Sequence, residues 1–360
     1  MNKTIFAAAI LCASSMAYAQ VPTGYPATYK TIVDAAKKEG KVVIYGATDS
    51  KATQPLINDF KALYPGISVE YNDMNSTEVY NRFISEQAAG GATADVVWSS
   101  AMDLQLKLVQ DGFGMAYKSV EASKIPGWAI YNDTAYGTTF EPAAIVYNKR
   151  LVTAAEVPHT HAEFAKLITT PKFKDKVTTY DIEKSGIGFM FMTQDASDYP
   201  QFAALAQAFG TARVRVQSST GTMLERISSG ENLIGYNVLG SYALVRAKTD
   251  PSLGVVLPKD YTLIMSRVHF INKSAKNVNA AKLWTDYLLS RRGQTVIAND
   301  SKLFAIRADV KGETTSTELI EMVGEKNIKP IPVGTDVLEY LAPAARMAFL
   351  KNWKDTAGKK

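Results

Sequence analysis

Apolar residues recur along the chain in two alternating rhythms. Tyr29, Ile32, Val33 and Ala36 fall at helical spacing, Lys41-Val-Val-Ile-Tyr45 is a continuous buried-strand run, and Leu56, Ile57, Phe60, Leu63 and Tyr64 return to helical spacing. Pro65-Gly66 stops that helix. Ile67 to Tyr71 predicts a second strand, Val79, Tyr80, Phe83, Ile84 and Gln87 a helix ending at Gly90-Gly91, and Asp95 to Trp98 a third strand. Strands alternating with helices imply α/β architecture, with a mostly parallel sheet flanked on both faces.

The segment from Tyr136 to Leu151 reads as a hinge. Ala143 to Tyr147 predicts a buried strand entered through Glu141-Pro142, because proline is tolerated at the first residue of a strand and not in its middle. The same alternation then resumes. Helices are expected around Phe164, around Phe202 to Phe209 and around Met223 to Ile227, with strands at Val177 to Tyr180, Arg213 to Gln217, Leu233 to Tyr236 and Gly254 to Leu257. Thr262 to Asn272 is a long extended stretch suited to a return crossing, and helices at Ala281 to Leu288 and Val337 to Trp353 are expected to pack on the first lobe. The division predicted is a first lobe of residues 20–141 plus 271–360 and a second of residues 142–270. Hinge strands are placed near 138–147 and 262–272.

The amino terminus changes this picture. Met1-Asn-Lys-Thr, the apolar run from Ile5 to Met16, and Ala17-Tyr18-Ala19 form the basic, apolar and small-x-small parts of a cleavable secretory signal, residues 1–19, with cleavage after Ala19. The single cysteine, Cys12, lies inside it. The mature chain is therefore expected to hold no disulfide, thiol nucleophile or cysteine-bound metal. Loss of Lys3 takes the formal net charge from +5 to +4, too small and too scattered to predict nucleic-acid binding. A mild positive bias suits a small anion.

Candidate chemistry stands after the strands. In open α/β sheets ligands collect beyond the carboxyl ends of strands, where helix N-termini offer unpaired N–H groups. Thr48 and Asp49 follow the first strand, Asn75, Ser76 and Thr77 the second, and Ser99 and Ser100 the third. Beyond the hinge, Ser185 and Gly186, Ser219 and Thr220, then Tyr236 and Asn237 occupy equivalent places. Ser, Thr, Asp and Asn are also the favoured helix caps, so each cluster has a purely structural reading as well. Thr139 and Glu141 lie on the outward crossing, and His269, beside Arg267, on the return. Glu141 facing a ligand would accept from a hydroxyl or pair with an amine; otherwise it is a hydrogen-bonding hinge residue. Arg213 and Arg215 alternate with Val214 and Val216, which makes them candidate partners for an anion or simply solvated strand residues.

Taken in order, Lys41-Val-Val-Ile-Tyr45 with Thr48-Asp49-Ser50, Ala94-Asp-Val-Val-Trp98, Ile145-Val-Tyr-Asn-Lys149, Ile234-Gly-Tyr-Asn237 and Lys276 to Ser290 resemble the extracytoplasmic solute-binding proteins of ABC transporters. The group resembled includes ferric-ion binders and binders of phosphorylated sugars and phosphonates. The resemblance implies a two-lobed, class II-like periplasmic binding protein fold, a monomer that closes over one small anionic solute and delivers it to an inner-membrane permease. It implies no cofactor and no direct membrane insertion. Ferric binders of the group use adjacent tyrosines, and this chain has none; Tyr236 and Tyr242 are its only candidates for that alternative. An oxyanion, namely a phosphate ester, phosphonate or carboxylate, with or without an amine or hydroxyls, is the expected ligand. A sensor reporting to a membrane receptor would use the same cleft. Enzymatic readings find little: His159-Thr160-His161 lacks a third ligand at metal spacing and reads as a surface turn, and no Gly-x-Ser-x-Gly or His-Glu-x-x-His occurs.

Overall fold

The computed structural model describes residues 21–91 and 93–358; the secretory signal expected at residues 1–19 lies outside them. Among the described residues thirteen strands form two mixed sheets. In the first, β1 (Lys41–Gly46) pairs in parallel with β2 (Ser68–Asp73) and β3 (Val96–Ser99), as the βαβ rhythm requires. Its remaining strands, β4 (Ile130–Tyr131), β5 (Ala135–Gly137) and the later β12 (Val268–Ile271), are antiparallel, giving the order β2-β1-β3-β12-β5-β4. The second sheet is built around β6 (Glu141–Asn148), which starts one residue before Pro142. Its other strands are β7 (Val177–Tyr180), β8 (Arg215–Gln217), β9 (Ile234–Leu239), β10 (Leu253–Val256), β11 (Thr262–Met265) and β13 (Ile328–Pro330). Their order is β13-β11-β6-β9-β7-β8, with β10 also on β6.

The chain passes between sheets twice at one place. From β5 it runs through Thr138, Thr139 and Phe140 into β6, and from β11 through Ser266 and Arg267 into β12. The two crossings are bonded side by side: Thr138 N–H donates to the Arg267 carbonyl (3.0 Å) and Arg267 N–H to Thr139 Oγ1 (2.9 Å). Trp98 Nε1 donates to Thr138 Oγ1 (2.8 Å), which fixes the bundle to the first sheet.

Three apolar cores hold the layers. One, with Val42, Ile44, Trp98, Trp284 and Leu288, lies on the first sheet, and another, with Ile145, Phe164, Phe209 and Tyr236, on the second. The third runs from Val97 and Phe270 in the first sheet to Val146 and Val238 in the second. The C-terminal helix Pro343–Thr356 does not sit where its position after the return crossing predicts. Trp353 packs on Phe209 (5.5 Å between ring centres) and Phe349 on Phe189 (5.7 Å), both against the second sheet's helices. Burying a large apolar side chain is worth about 1.5–3 kcal/mol, and the aromatic partners for this helix are all there. β13, pairing with β11, has already brought the chain back.

Candidate functional site

A cavity of about 270 Å³ lies between the sheets, beyond the carboxyl ends of β1, β2, β3, β7, β8 and β9. The local sequence explains why helices start there. Asp49 stands at the N-cap position of Ser50–Leu63 without a side-chain capping bond, while Asn75 caps Ser76–Ala88, Ser185 caps Gly186–Asp198 and Ser219 caps Thr220–Ser228, and all four residues line the cavity. Asn75 Oδ1 accepts from Thr77 N–H (3.0 Å) and Glu78 N–H (2.9 Å), with Glu78 closing a capping box. Ser185 Oγ accepts from Gly188 N–H (3.3 Å) and Ser219 Oγ from Thr222 N–H (3.2 Å). A cap satisfies only one or two of the free N–H groups of a helix start. The remaining N–H groups and the positive ends of the helix dipoles give this cavity the means to hold an anion. Leu239, ahead of the helix Gly240–Thr249, adds a fifth start. That helix approaches β6 so closely that a Cβ on Gly240 would lie 2.7 Å from the Pro142 carbonyl oxygen.

Among the described residues Arg267 is the only cationic side chain lining the cavity. It is 1% exposed and held within the crossing. Its Nε donates to Glu141 Oε1 (2.7 Å) and its Nη2 to Glu141 Oε2 (3.2 Å), while Nη1 reaches the Ala47 carbonyl (3.1 Å) and Thr48 Oγ1 (2.9 Å). Those bonds use four of the five guanidinium N–H groups. Ser241 Oγ donates to the second Glu141 oxygen, and the guanidinium carbon lies 5.4 Å from the Tyr242 ring centre. Arg267 is held above the usual arginine range, Glu141's charge overcoming the cost of burial. The ion pair thus ties the β1 loop to the start of β6 at the floor of the cavity.

The halves touch across the cavity. Ile187 N–H donates to Ser76 Oγ (3.2 Å), and Asp49 N–H donates to Tyr242 Oη (3.1 Å). Gly186 faces the first sheet's helices directly; a Cβ there would stand 2.8 Å from Leu104 Cδ1 and 3.0 Å from Ala101 Cβ.

This arrangement, two mixed sheets with paired crossings beside a cavity of helix starts, agrees with a family model and with solved structures. The family model described as bacterial extracellular solute-binding protein matches residues 55–322. The chain belongs to that family. It is similar to the substrate-binding protein of an ABC transporter from Agrobacterium tumefaciens, 36% identical, with 88% of this chain and 94% of that one covered and a TM-score of 0.83. Two more distant structures share the fold. One is the periplasmic binding protein AfuA from Actinobacillus pleuropneumoniae with fructose-6-phosphate bound, 19% identical over 89% of this chain and 100% of that one, TM-score 0.73. The other is the apo ferric ion-binding protein A of Pasteurella haemolytica, 16% identical over 89% and 99%, TM-score 0.70. Comparison with curated proteins gives no match. This solute-binding protein serves an ABC importer and is not an enzyme.

Within the solute-binding protein, the sequence-predicted residues separate into two sets. Asp49, Asn75, Ser76, Ser100, Ser185, Ser219 and Thr220 line the cavity together. The rest do other work. Thr48, Thr139 and Glu141 are buried in the Arg267 network; Glu141 meets a guanidinium and a hydroxyl of the protein itself, so it does not face the ligand as an acceptor. Ser99 Oγ accepts from Ala101 N–H (3.3 Å) at the start of Met102–Gln110. Thr77 and Gly186 border a separate 240 Å³ space with Asp103, Lys107 and Arg346.

His269 belongs to the first sheet's interior. Its Nε2 bonds Thr285 Oγ1 (2.7 Å), and burial pushes its pKa down to about 3, leaving a neutral ring away from the cleft. Tyr236 and Asn237 both donate to Asp195 Oδ2 (2.9 and 2.7 Å) within the second sheet's core. Tyr242 alone of the two iron candidates lines the cavity, so no tyrosine pair forms there. Burial raises both phenols well above their usual range. Arg213 and Arg215 pair with Asp175 (3.4 and 2.8 Å) on the far edge of the sheet, because Arg213 takes a left-handed conformation (φ 54°) before β8 begins. His161 is not in a surface turn but buried, stacked on Tyr261 (4.0 Å) with Nδ1 on Asp260 (2.9 Å). Among the described residues no group of three His, Cys, Asp or Glu is placed to hold a metal.

Arg267, Asp73, Tyr180 and Ser218 are among the polar lining residues that the sequence reading did not name as site residues. Arg267 carried a signal: it is a lone charge between the apolar runs Thr262–Met265 and Val268–Ile271. A charge there must be either paired or functional.

Proposed function

We propose that this protein captures a small oxyanion, a phosphate ester, phosphonate or carboxylate, in the cavity between its sheets and delivers it to the importer's permease. The observation that carries this reading is the convergence of helix N-cap residues Asp49, Asn75, Ser185 and Ser219 from both halves on one cleft. A volume of about 270 Å³ is near the lower end of small-molecule pockets, which favours a compact metabolite over an oligomer. The crossings at residues 138–140 and 266–267 act as the hinge, so that ligand bridging Ser76 and Ser100 to Ser185 and Thr220 draws the lobes together. The mature protein, cleaved after Ala19, works as a periplasmic monomer, and its closed form is what the permease recognises.

The test is a thermal-shift screen of the mature protein, unfolded and refolded to strip carried-over ligand, against phosphate esters, phosphonates, carboxylates, amino acids and ferric citrate. A ligand at about 100 times its Kd stabilises by about 2.7 kcal/mol. Stabilisation by members of the oxyanion classes is expected; a response to ferric citrate alone would overturn the reading.

A further inference from the structure

A second space between the halves, of about 240 Å³, lies beside the Ser76–Ile187 contact and holds two opposite charges apart. Thr77, Tyr80, Asp103 and Lys107 of the first lobe form one wall, and Gly186 and Arg346 stand on the side of the second. Asp103 is 2% exposed, and among the described residues its carboxylate accepts only from the adjoining Leu104 N–H (2.8 Å). A buried carboxylate in that state is unfavourable unless it is protonated or gains a cation. Lys107 is taken by Asp111, one turn along its own helix. Arg346 is not: among the described residues it forms no ion pair, and its guanidinium carbon lies 4.1 Å from the ring centre of Phe189.

The segment that carries Arg346 touches both lobes. Thr335–Leu341 packs on Met102–Gln110 of the first, where Val337 shares a core with Met102 and Leu106. Pro343–Thr356 then turns back to the second sheet's helices through Phe349 and Trp353. Arg346 therefore faces Asp103 next to the place where a Cβ on Gly186 would meet Leu104. We infer that Asp103 and Arg346 are the two halves of an interlobe latch: the guanidinium swings from the Phe189 ring across this space to the Asp103 carboxylate and holds the lobes closed. This rests on the hinge reading above and not on which solute is carried. The pair gains more than an exposed one, because Asp103 is already out of water and its desolvation is a cost borne with or without a partner. Arginine also offers two parallel donors to both carboxylate oxygens. Water in the space would supply hydrogen bonds but no counter-charge.

The test is single-molecule energy transfer on the stripped mature protein. Cleaved after Ala19, the chain has no cysteine, so Lys61→Cys and Lys166→Cys, at exposed positions on opposite lobes, take the two dyes. The ratio of open to closed molecules is read with no solute added at about pH 8, because burial pushes Asp103 up to about 7 against Leu104 N–H and Arg346. Asp103→Asn and Arg346→Gln are each expected to raise that ratio at least about fivefold, the double variant no further than either alone, and Arg346→Lys to recover part of the loss. Two populations whose ratio neither variant moves, or effects that multiply in the double variant, overturn the latch and leave the hinge and the oxyanion reading standing. A single population in every variant overturns the hinge and the latch with it.

Discussion

Gly186 allows the most specific prediction. The residue opens the helix Gly186–Asp198, and the atoms nearest to its missing Cβ all belong to the first sheet's helices or the residues leading into them: Leu104 Cδ1 at 2.8 Å, Ala101 Cβ at 3.0 Å and Ser76 Oγ at 3.1 Å. Leu104 can rotate away, but Ala101 Cβ is fixed to the backbone. Gly186→Val would add three carbons to this contact. Overpacking of this kind costs about 1–3 kcal/mol. If the halves separate in the unliganded protein, the clash is felt only on closure. The cost then appears as a loss of affinity of about 5- to 140-fold, at about 1.4 kcal/mol for each factor of ten. Calorimetry with the compound giving the largest thermal shift measures the first quantity, and the urea midpoint of the unliganded protein measures the second. Unliganded stability should change by less than about 0.5 kcal/mol. Unchanged affinity, or a stability loss as large as the affinity loss, would refute closure at this contact.

Three further outcomes are expected. Arg267→Met leaves Glu141 buried without its counter-charge and should cost about 3–5 kcal/mol of stability by urea denaturation, whereas Arg267→Met with Glu141→Leu should recover most of it. Tyr236→Phe removes a donor to buried Asp195, so it should cost about 1–3 kcal/mol and leave solute affinity unchanged; lost affinity would put Tyr236 back at the site. Asp103 is 2% exposed, and burial pushes its carboxyl up to about 7, with Leu104 N–H and Arg346 opposing. The unfolded chain releases this proton near pH ~3.9. Stability from this group is therefore full below about pH 4, lost as pH rises to about 7, and flat above that. Asp103→Asn should then stabilise by on the order of 2–4 kcal/mol at about pH 8 and by nearly nothing at about pH 4, read as urea midpoints.

Periodicity carried the local structure because helices such as Phe202–Ala212 bury one regular stripe and inner strands such as Val177–Tyr180 are buried along their whole length. Val177–Tyr180 and Phe202–Ala212 lie where their apolar patterns put them. The C-terminal helix was misplaced because its pattern says that Trp353 is buried, not beside which sheet; β13 decides that, three short residues with weak apolar character. At the site, cap chemistry was legible, since the residues that start helices also face the cavity. Residues whose role depends on a distant partner were not. Glu141 is satisfied by Arg267, 126 positions away, and Tyr236 by Asp195, 41 positions away. A polar residue's type states that it needs a partner, and only the tertiary fold says whether that partner is the protein or the solute.

The central claim is that solute sits among the helix starts between the sheets. Ser219 tests it most directly, because its side chain is exposed at the cavity wall and caps only its own helix. The measurement is the Kd of the screen's strongest oxyanion for wild type and for Ser219→Phe, with circular dichroism to confirm the fold. The bulky ring is expected to fill the cavity and weaken binding at least about tenfold, while the lost cap costs only about 1 kcal/mol of stability. Unchanged affinity in a folded Ser219→Phe protein would contradict it.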